Sequence, residues 1–219
     1  MMVRQLFEDQ IHELMEDLLA MGQMVADSIE WSIQALAHQD EALARQVIAF
    51  DDEINAAQHD IDEKCLVLIA TQQPMAGDLR AILATSNIAT ELERMGDYAE
   101  GTAKLALKLA GQPLLKPLID IPRMAEEGRR MLMAALEAFA HQDVEAARQI
   151  GQADDTVDAL YDQVYRELLV YMMQDPRTIT QATYLLWIAH NLERIADRTT
   201  NIAERVIFLD SGEIVDLNR

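Results

Sequence analysis

The segment Leu92-Glu93-Arg94-Met95-Gly96-Asp97 returns as Leu192-Glu193-Arg194-Ile195-Ala196-Asp197. Both copies read Leu-Glu-Arg-x-x-Asp. Other landmarks return in the same order. Ala37-His38-Gln39-Asp40 recurs as Ala140-His141-Gln142-Asp143, Ala44-Arg45-Gln46 as Ala147-Arg148-Gln149, and Asp51-Asp52 as Asp154-Asp155. An ordered set of repeated marks is the trace of a tandem duplication, and it requires a fold made of two like units.

Each unit reads as helices. Phe7, Ile11, Leu14, Leu18, Met21, Val25 and Ser28 step by fours and threes, which puts them on one face of a helix from about Val3 to Ala37. Asp40 is a suitable N-cap for a second helix, whose stripe runs through Leu43, Val47, Ile54, Ile61 and Leu68. That helix must end before Gln73-Pro74, since the residue before proline resists helix. A third helix, about Asp78 to Ala110, stops at Gly111, with Pro113 and Pro117 beyond it. The pattern then restarts. The spacing predicts helices over about Ile121–Ala140, Val144–Gln174 and Thr178–Leu209.

Helices of roughly 30 residues span about 45 Å, and three joined by short links make an up-down-up bundle. The expected fold is therefore all-α: two tandem, pseudo-symmetric three-helix bundles, six long helices in all. The first bundle is expected to occupy residues 1–112, the second 118–210, and a short tail 211–219. The scarcity of glycine (8) and proline (5) agrees with a helical chain.

Charge narrows the function. The chain has 38 acidic against 18 basic residues, a net charge of −20. No basic stripe exists to follow a nucleic-acid backbone, so a nucleic-acid partner is not expected. The same charge opposes anionic lipid. No apolar run approaches the roughly 20 residues of a membrane span, so no direct membrane insertion is expected. Glu8 and Asp9 argue against a signal peptide. The single cysteine, Cys65, lies in an apolar run and reads as core, and no internal disulfide can form. Together these features suit a reducing, cytoplasmic compartment.

The repeated motif carries the chemistry. With about 100° per residue, Asp97 falls about 40° from Glu93, so the two carboxylates share a face. Glu100 and Lys104 join that face. In the second half Asp197, His190, Asn201 and Glu204 lie within about 80° of Glu193. A solvated helix surface accounts for one isolated Glu-x-x-x-Asp. Its recurrence at matching positions in both halves favours a site. Oxygen ligands one turn apart suit a hard or borderline cation such as Mg, Mn or Fe, and a cation relieves the repulsion between clustered acids. A di-iron site of the Glu-x-x-His kind is not expected, because no histidine follows a glutamate by three. Cysteine-built zinc sites, phosphate-binding glycine loops and Rossmann fingerprints are missing from the sequence. No nucleophile–base pairing stands out, and the chain does not read as an enzyme.

The residues that bear these marks resemble the PhoU family of phosphate transport regulators. They are Gln73-Pro74-Met75-Ala76-Gly77-Asp78-Leu79-Arg80, Glu91 through Ala99, Leu192 through Asp197, and Thr200-Asn201-Ile202-Ala203-Glu204. The resemblance implies a non-enzymatic cytoplasmic regulator, dimeric in form. It implies that phosphate uptake and the phosphate-starvation response are held in check. It implies as partners the ATPase subunit of the high-affinity phosphate ABC transporter and a membrane sensor histidine kinase. It also implies a divalent metal or iron cluster (Fe, Mn, Mg or Zn) on the motifs, which carries over to Glu93 and Asp97 and to Glu193 and Asp197. Glu100, Asn201 and Glu204 are added by the helical wheel. Asp78, Arg80, Arg94 and Arg194 belong to the motifs and are candidates for internal pairing or partner contact.

One departure stands out. Arg198 follows Asp197, where many family members have histidine. A cation there either weakens metal binding in the second half or pairs with Asp197 or Glu204 and takes the metal's place, and on both readings the first copy is the stronger metal candidate. The alternative reading is a metal-binding or metal-storage helical protein, or a metal-dependent phosphoester enzyme.

Overall fold

The computed structural model describes residues 2–213 and 215–217, with side chains from residue 7 onward. The far end of the expected tail, at 218 and 219, and residue 214 lie outside the described residues. Six long helices account for the fold: α1 (Met2–His38), α2 (Glu41–Gln72), α3 (Gly77–Leu109), α4 (Asp120–His141), α5 (Val144–Gln174) and α6 (Ile179–Ser211). No strand occurs among the described residues. α1, α2 and α3 pack together as one three-helix bundle, and α4, α5 and α6 as the second. α3 lies on α6 and α1 on α4, while α2 and α5 stand on the outside.

The duplicated turn shows why the two halves fold alike. Gln39 and Gln142 both adopt the left-handed conformation, at φ 54° and 53°. Asp40 N–H donates to Ala35 O and Gln39 N–H to Leu36 O; Asp143 and Gln142 do the same with Ala138 O and Phe139 O. This crossed pair of bonds closes the last carbonyls of α1 and α4. The next residue then opens the following helix. Asp40 accepts from Ala42 N and Leu43 N, and Asp143 from Ala146 N. One tetrapeptide thus ends a helix and starts another, twice.

The core is continuous across all six helices. Leu18, Met21, Ile54, Ile88, Leu132, Phe139, Val164 and Ile195 are among its buried members. α1 packs tightly on α4 at Gly22, where a Cβ would sit 2.2 Å from Leu136 Cδ1. No larger residue fits that crossing without moving the leucine.

The helix bounds agree with the periodicity to within two residues. α4 has only 22 residues. The proline-bearing link before it is held down rather than helical: buried Lys116 pairs with Glu167 of α5, and Asp120 accepts from Gln163 Nε2 at 3.0 Å. At Asp175-Pro176 a 3-10 turn, Pro176–Thr178, precedes α6 because Asp175 caps it through Arg177 N at 3.0 Å.

Candidate metal centre

In the first bundle, α2 brings Asp51 against the acidic face of α3. A carboxylate oxygen from each of Asp51, Asp97 and Glu100 lies within 4.8 Å of the others. Asp51 is buried. Its Oδ2 accepts from Asn55 Nδ2 at 2.9 Å, while Oδ1 is buried with no hydrogen-bond partner among the described residues. Burial, then the charges of Glu100 and Asp97, push the Asp51 carboxyl up to about 6. Burial and Glu100 raise Asp97 as well, and burial and Asp97 raise Glu93. Lys104 Nζ lies 2.5 Å from Glu100 Oε2 and is the local counter-charge. An orphaned buried oxygen beside two further carboxylates is a donor set that fits a hard cation.

The second bundle repeats the arrangement with different neighbours. Burial, then Asp158, Asp197 and Glu193, push Asp154 of α5 up to about 7. Asp158 and Glu193 are raised too, chiefly by burial. Here an arginine is already in place: Arg194 Nη1 lies 2.6 Å from Asp197 Oδ2. Glu193 Oε2 is buried, without a hydrogen bond, 3.5 Å from His190 Nδ1.

Between the two faces, α3 and α6 cross in opposite directions. Asn191 Nδ2 donates to Thr102 Oγ1 at 3.3 Å, and Arg194 Nε reaches the Tyr98 hydroxyl at 3.5 Å. Asn201 Nδ2 donates to Glu91 Oε2 at 3.0 Å, and Arg198 Nη1 to the same oxygen at 3.2 Å. Arg198 therefore turns across the crossing to Glu91, in place of the expected Asp197 or Glu204. The reason is that Glu91 offers a nearly buried carboxylate opposite it, while Arg194 takes Asp197.

The structure thus brings Glu93, Asp97 and Glu100 together on one face, and Glu193 and Asp197 on another. Asn201 is engaged at the crossing. Glu204 Oε1 accepts from Leu217 N at 2.9 Å and anchors the tail. Arg94 lies 3.6 Å from Glu91. Arg80 stands at the C-terminal end of α6, where a Cβ at Gly212 would lie 3.7 Å from its Nη1. Asp78 sits in the exposed first turn of α3. Sequence reasoning missed Asp51, Asp154 and Asp158. The signal was there: Asp51-Asp52 and Asp154-Asp155 are repeat marks on the helix that precedes each motif, and a neighbouring antiparallel helix is the natural source of a facing ligand.

The PhoU domain model matches residues 18–106 and, a second time, residues 121–206. The chain belongs to the PhoU family. Over 206 residues it is 42% identical to a phosphate-specific transport system accessory protein PhoU homolog of Aquifex aeolicus (strain VF5), covering 94% of this chain and 93% of that one. The crystal structure of PhoU from Pseudomonas aeruginosa superposes with a TM-score of 0.90 at 38% identity, over 94% of this chain and 100% of that chain. The phosphate transport system regulatory protein PhoU from Streptococcus pneumoniae gives 0.89 at 34% identity, over 96% and 99%. The paired bundles are thus the PhoU fold. No helix among the described residues is long and apolar enough to cross a membrane.

Proposed function

We propose that this chain is a regulatory accessory protein of a phosphate-specific transport system, restraining phosphate uptake and the phosphate-starvation response. The observation that carries the reading is its likeness, along nearly the whole chain, to relatives described as accessory and regulatory proteins of phosphate transport. It acts without catalysis of its own. It serves as a cytoplasmic adaptor, a homodimer, between the transporter's ATPase subunit and a sensor histidine kinase. Residues 1–112 and 118–210 serve as its two repeat units, each presenting one acidic face, with 211–219 as the tail.

Asp51, Asp97 and Glu100 would hold a hard cation in the first unit, with Glu93 one turn away. A divalent ion such as Mn, Mg or Fe supplies the positive charge that lets these raised carboxylates ionise together. In the second unit the Arg194–Asp197 pair provides that charge internally. Residue roles follow from this. Asp51 offers the orphaned oxygen, Asp97 and Glu100 complete the face, and Lys104 holds Glu100 in the metal-free state.

Removing the gene from its host and following alkaline phosphatase in high phosphate tests the regulatory role. Derepression is expected, and unchanged repression overturns the reading. Titrating Mn into the purified protein and into Asp51→Asn/Asp97→Asn tests the site separately. Binding by the wild type and its loss in the variant are expected. Equal binding by both removes the first unit as the site.

A further inference from the structure

The two acidic faces differ in what lies beside them. On the second unit Tyr161 of α5 meets His190 of α6, with Tyr165 and Trp187 one turn along on their own helices. Ring centroids are 6.2 Å apart for Tyr161 and His190, 5.8 Å for Trp187 and His190 in an edge-on contact, and 6.5 Å for Tyr161 and Tyr165. Trp187 is 55% exposed and Tyr165 41%. The duplication places Gln58, Asp62, Asn87 and Thr90 at the corresponding positions of the first unit. There the polar groups satisfy one another: Ser86 Oγ donates to Asp62 Oδ1 at 2.6 Å, and Gln58 donates to Asp62. Beside these groups the first unit exposes Leu66 and Leu83 but no aromatic ring at these positions, whereas the second unit carries an open aromatic face.

The aromatic strip runs directly into carboxylates. Glu193 sits beside His190, with a buried oxygen that makes no hydrogen bond. Asp158 lies one turn before Tyr161 and two before Tyr165 on the exposed side of α5. The faces of Trp and Tyr rings attract cations, and carboxylates at the end of such a wall receive the charged head. A hard metal ion makes no use of the Tyr161, Tyr165 and Trp187 rings. A second copy of a chain carrying −20 brings like charge to this face. A guanidinium or ammonium group on a flexible stem uses both features, its apolar stem along the rings and its head at the acids.

We propose that the α5–α6 face of the second unit is a docking surface for a basic peptide segment of a partner protein, with arginine or lysine side chains laid on Trp187 and Tyr165 and reaching Glu193 and Asp158. This names the kind of partner for the adaptor role and rests on that reading. The overall negative field draws such a segment in, and the aromatic wall decides where it settles. The first unit, lacking the wall, is left to its cation.

Calorimetric titration with a synthetic peptide of alternating arginine and alanine tests the surface, with the same peptide bearing neutral citrulline as the control. The arginine peptide binds the wild type, and the citrulline peptide does not. Trp187→Ala/Tyr165→Ala weakens binding about ten-fold or more, Trp187→Phe retains most of it, and Asp60→Asn/Glu63→Gln on the exposed side of α2 in the first unit leaves it within about two-fold. The substituted aromatics are exposed, and circular dichroism verifies that each variant keeps its helices. Equal binding by all variants overturns the proposal in favour of diffuse charge. So does a failure of the wild type to bind. If Trp187→Ala/Tyr165→Ala abolishes self-association of the wild type in sedimentation, the face is an interface between copies and the proposal falls. Peptide binding is read without reference to phosphate. Failed binding with alkaline phosphatase repression intact removes this surface alone, whereas intact binding with no effect of gene removal on repression removes the regulatory reading.

Discussion

Asp51 of α2 and Gly96 of α3 are so close that a Cβ on the glycine would lie 3.4 Å from Asp51 Oδ1, and 3.2 Å from Ile54 Cγ2. The missing side chain lets the carboxylate lie against α3, next to Asp97. The second unit has Ala196 at the matching position. Gly96→Ala gains about 1 kcal/mol in helix propensity and loses a similar amount to crowding of Ile54. Its stability to urea is therefore expected to stay within about 1 kcal/mol of wild type. Manganese affinity is expected to fall several-fold, because the methyl group shifts the orphaned oxygen. Unchanged affinity would show that Gly96 does not set the position of Asp51.

Stability should depend on pH in an unusual direction. Asp51 and Asp154 are pushed up to about 6 and about 7, from an ordinary 3.8, chiefly by burial. Between about pH 4 and pH 7 the folded protein therefore holds protons that the unfolded chain has released. Stability from these groups is greatest below the unfolded value and declines as pH rises through the folded one. Glu127 and Asp175, lowered by hydrogen bonds from Arg130 and Arg177, and His190, lowered by burial and by Arg194, work in the opposite sense but are outnumbered by the raised carboxylates Asp51, Glu93, Asp97, Asp154, Asp158 and Glu193. Urea midpoints measured in chelator should fall between pH 4.5 and 7.5, and Asp51→Asn/Asp154→Asn should flatten the curve. Manganese should raise the midpoint more at pH 7.5 than at pH 5. A midpoint that climbs steadily over this range in chelator would contradict the assignment.

Much of this was legible in the sequence because it is local. The Ala-His-Gln-Asp mark encodes a helix end and a helix start within four residues, and both copies behave alike. Proline at 74 and 176 stops α2 and α5 for reasons confined to neighbouring backbone. Helix faces follow from spacing, which is why Glu93, Asp97 and Glu100 emerge together. What spacing does not encode is the rotation of one helix against another. Asp51 faces Asp97 only because α2 packs on α3 in this register. Arg198 finds Glu91 only because α3 and α6 cross where they do. Asn201 and Glu204, adjacent to the motif on a wheel, are drawn to Glu91 and to Leu217 N by that packing.

The caps give a quantitative check on the local part. Asp40 accepts two backbone N–H groups, each at 3.0 Å, and Asp143 accepts one. Asp40→Ala should cost about 1 kcal/mol, and Asp143→Ala somewhat less, by urea unfolding. Asparagine, which keeps an acceptor, should restore most of the loss at either position. If Asp143→Ala proves much the costlier, the charge on the helix end matters more than the number of bonds.

The crossing of α3 and α6 can be weighed through Arg198. Its Nη1 lies 3.2 Å from Glu91 Oε2, with side-chain exposures of only 18% and 15%. Removing one member of a buried pair leaves the other charge poorly solvated, which costs about 3–5 kcal/mol when burial is complete. Glu91 here keeps the hydrogen bond from Asn201 and has Arg94 at 3.6 Å. The loss on Arg198→Ala should therefore be smaller, about 2 kcal/mol in urea. Glu91→Ala removes the carboxylate but strands Arg198, whose Nε is already buried without a hydrogen bond, and should cost a similar amount. The double variant should lose less than the sum, because neither charge is then left alone, and the difference measures the coupling across the two units. Strict additivity would mean that apolar contacts alone hold α3 against α6.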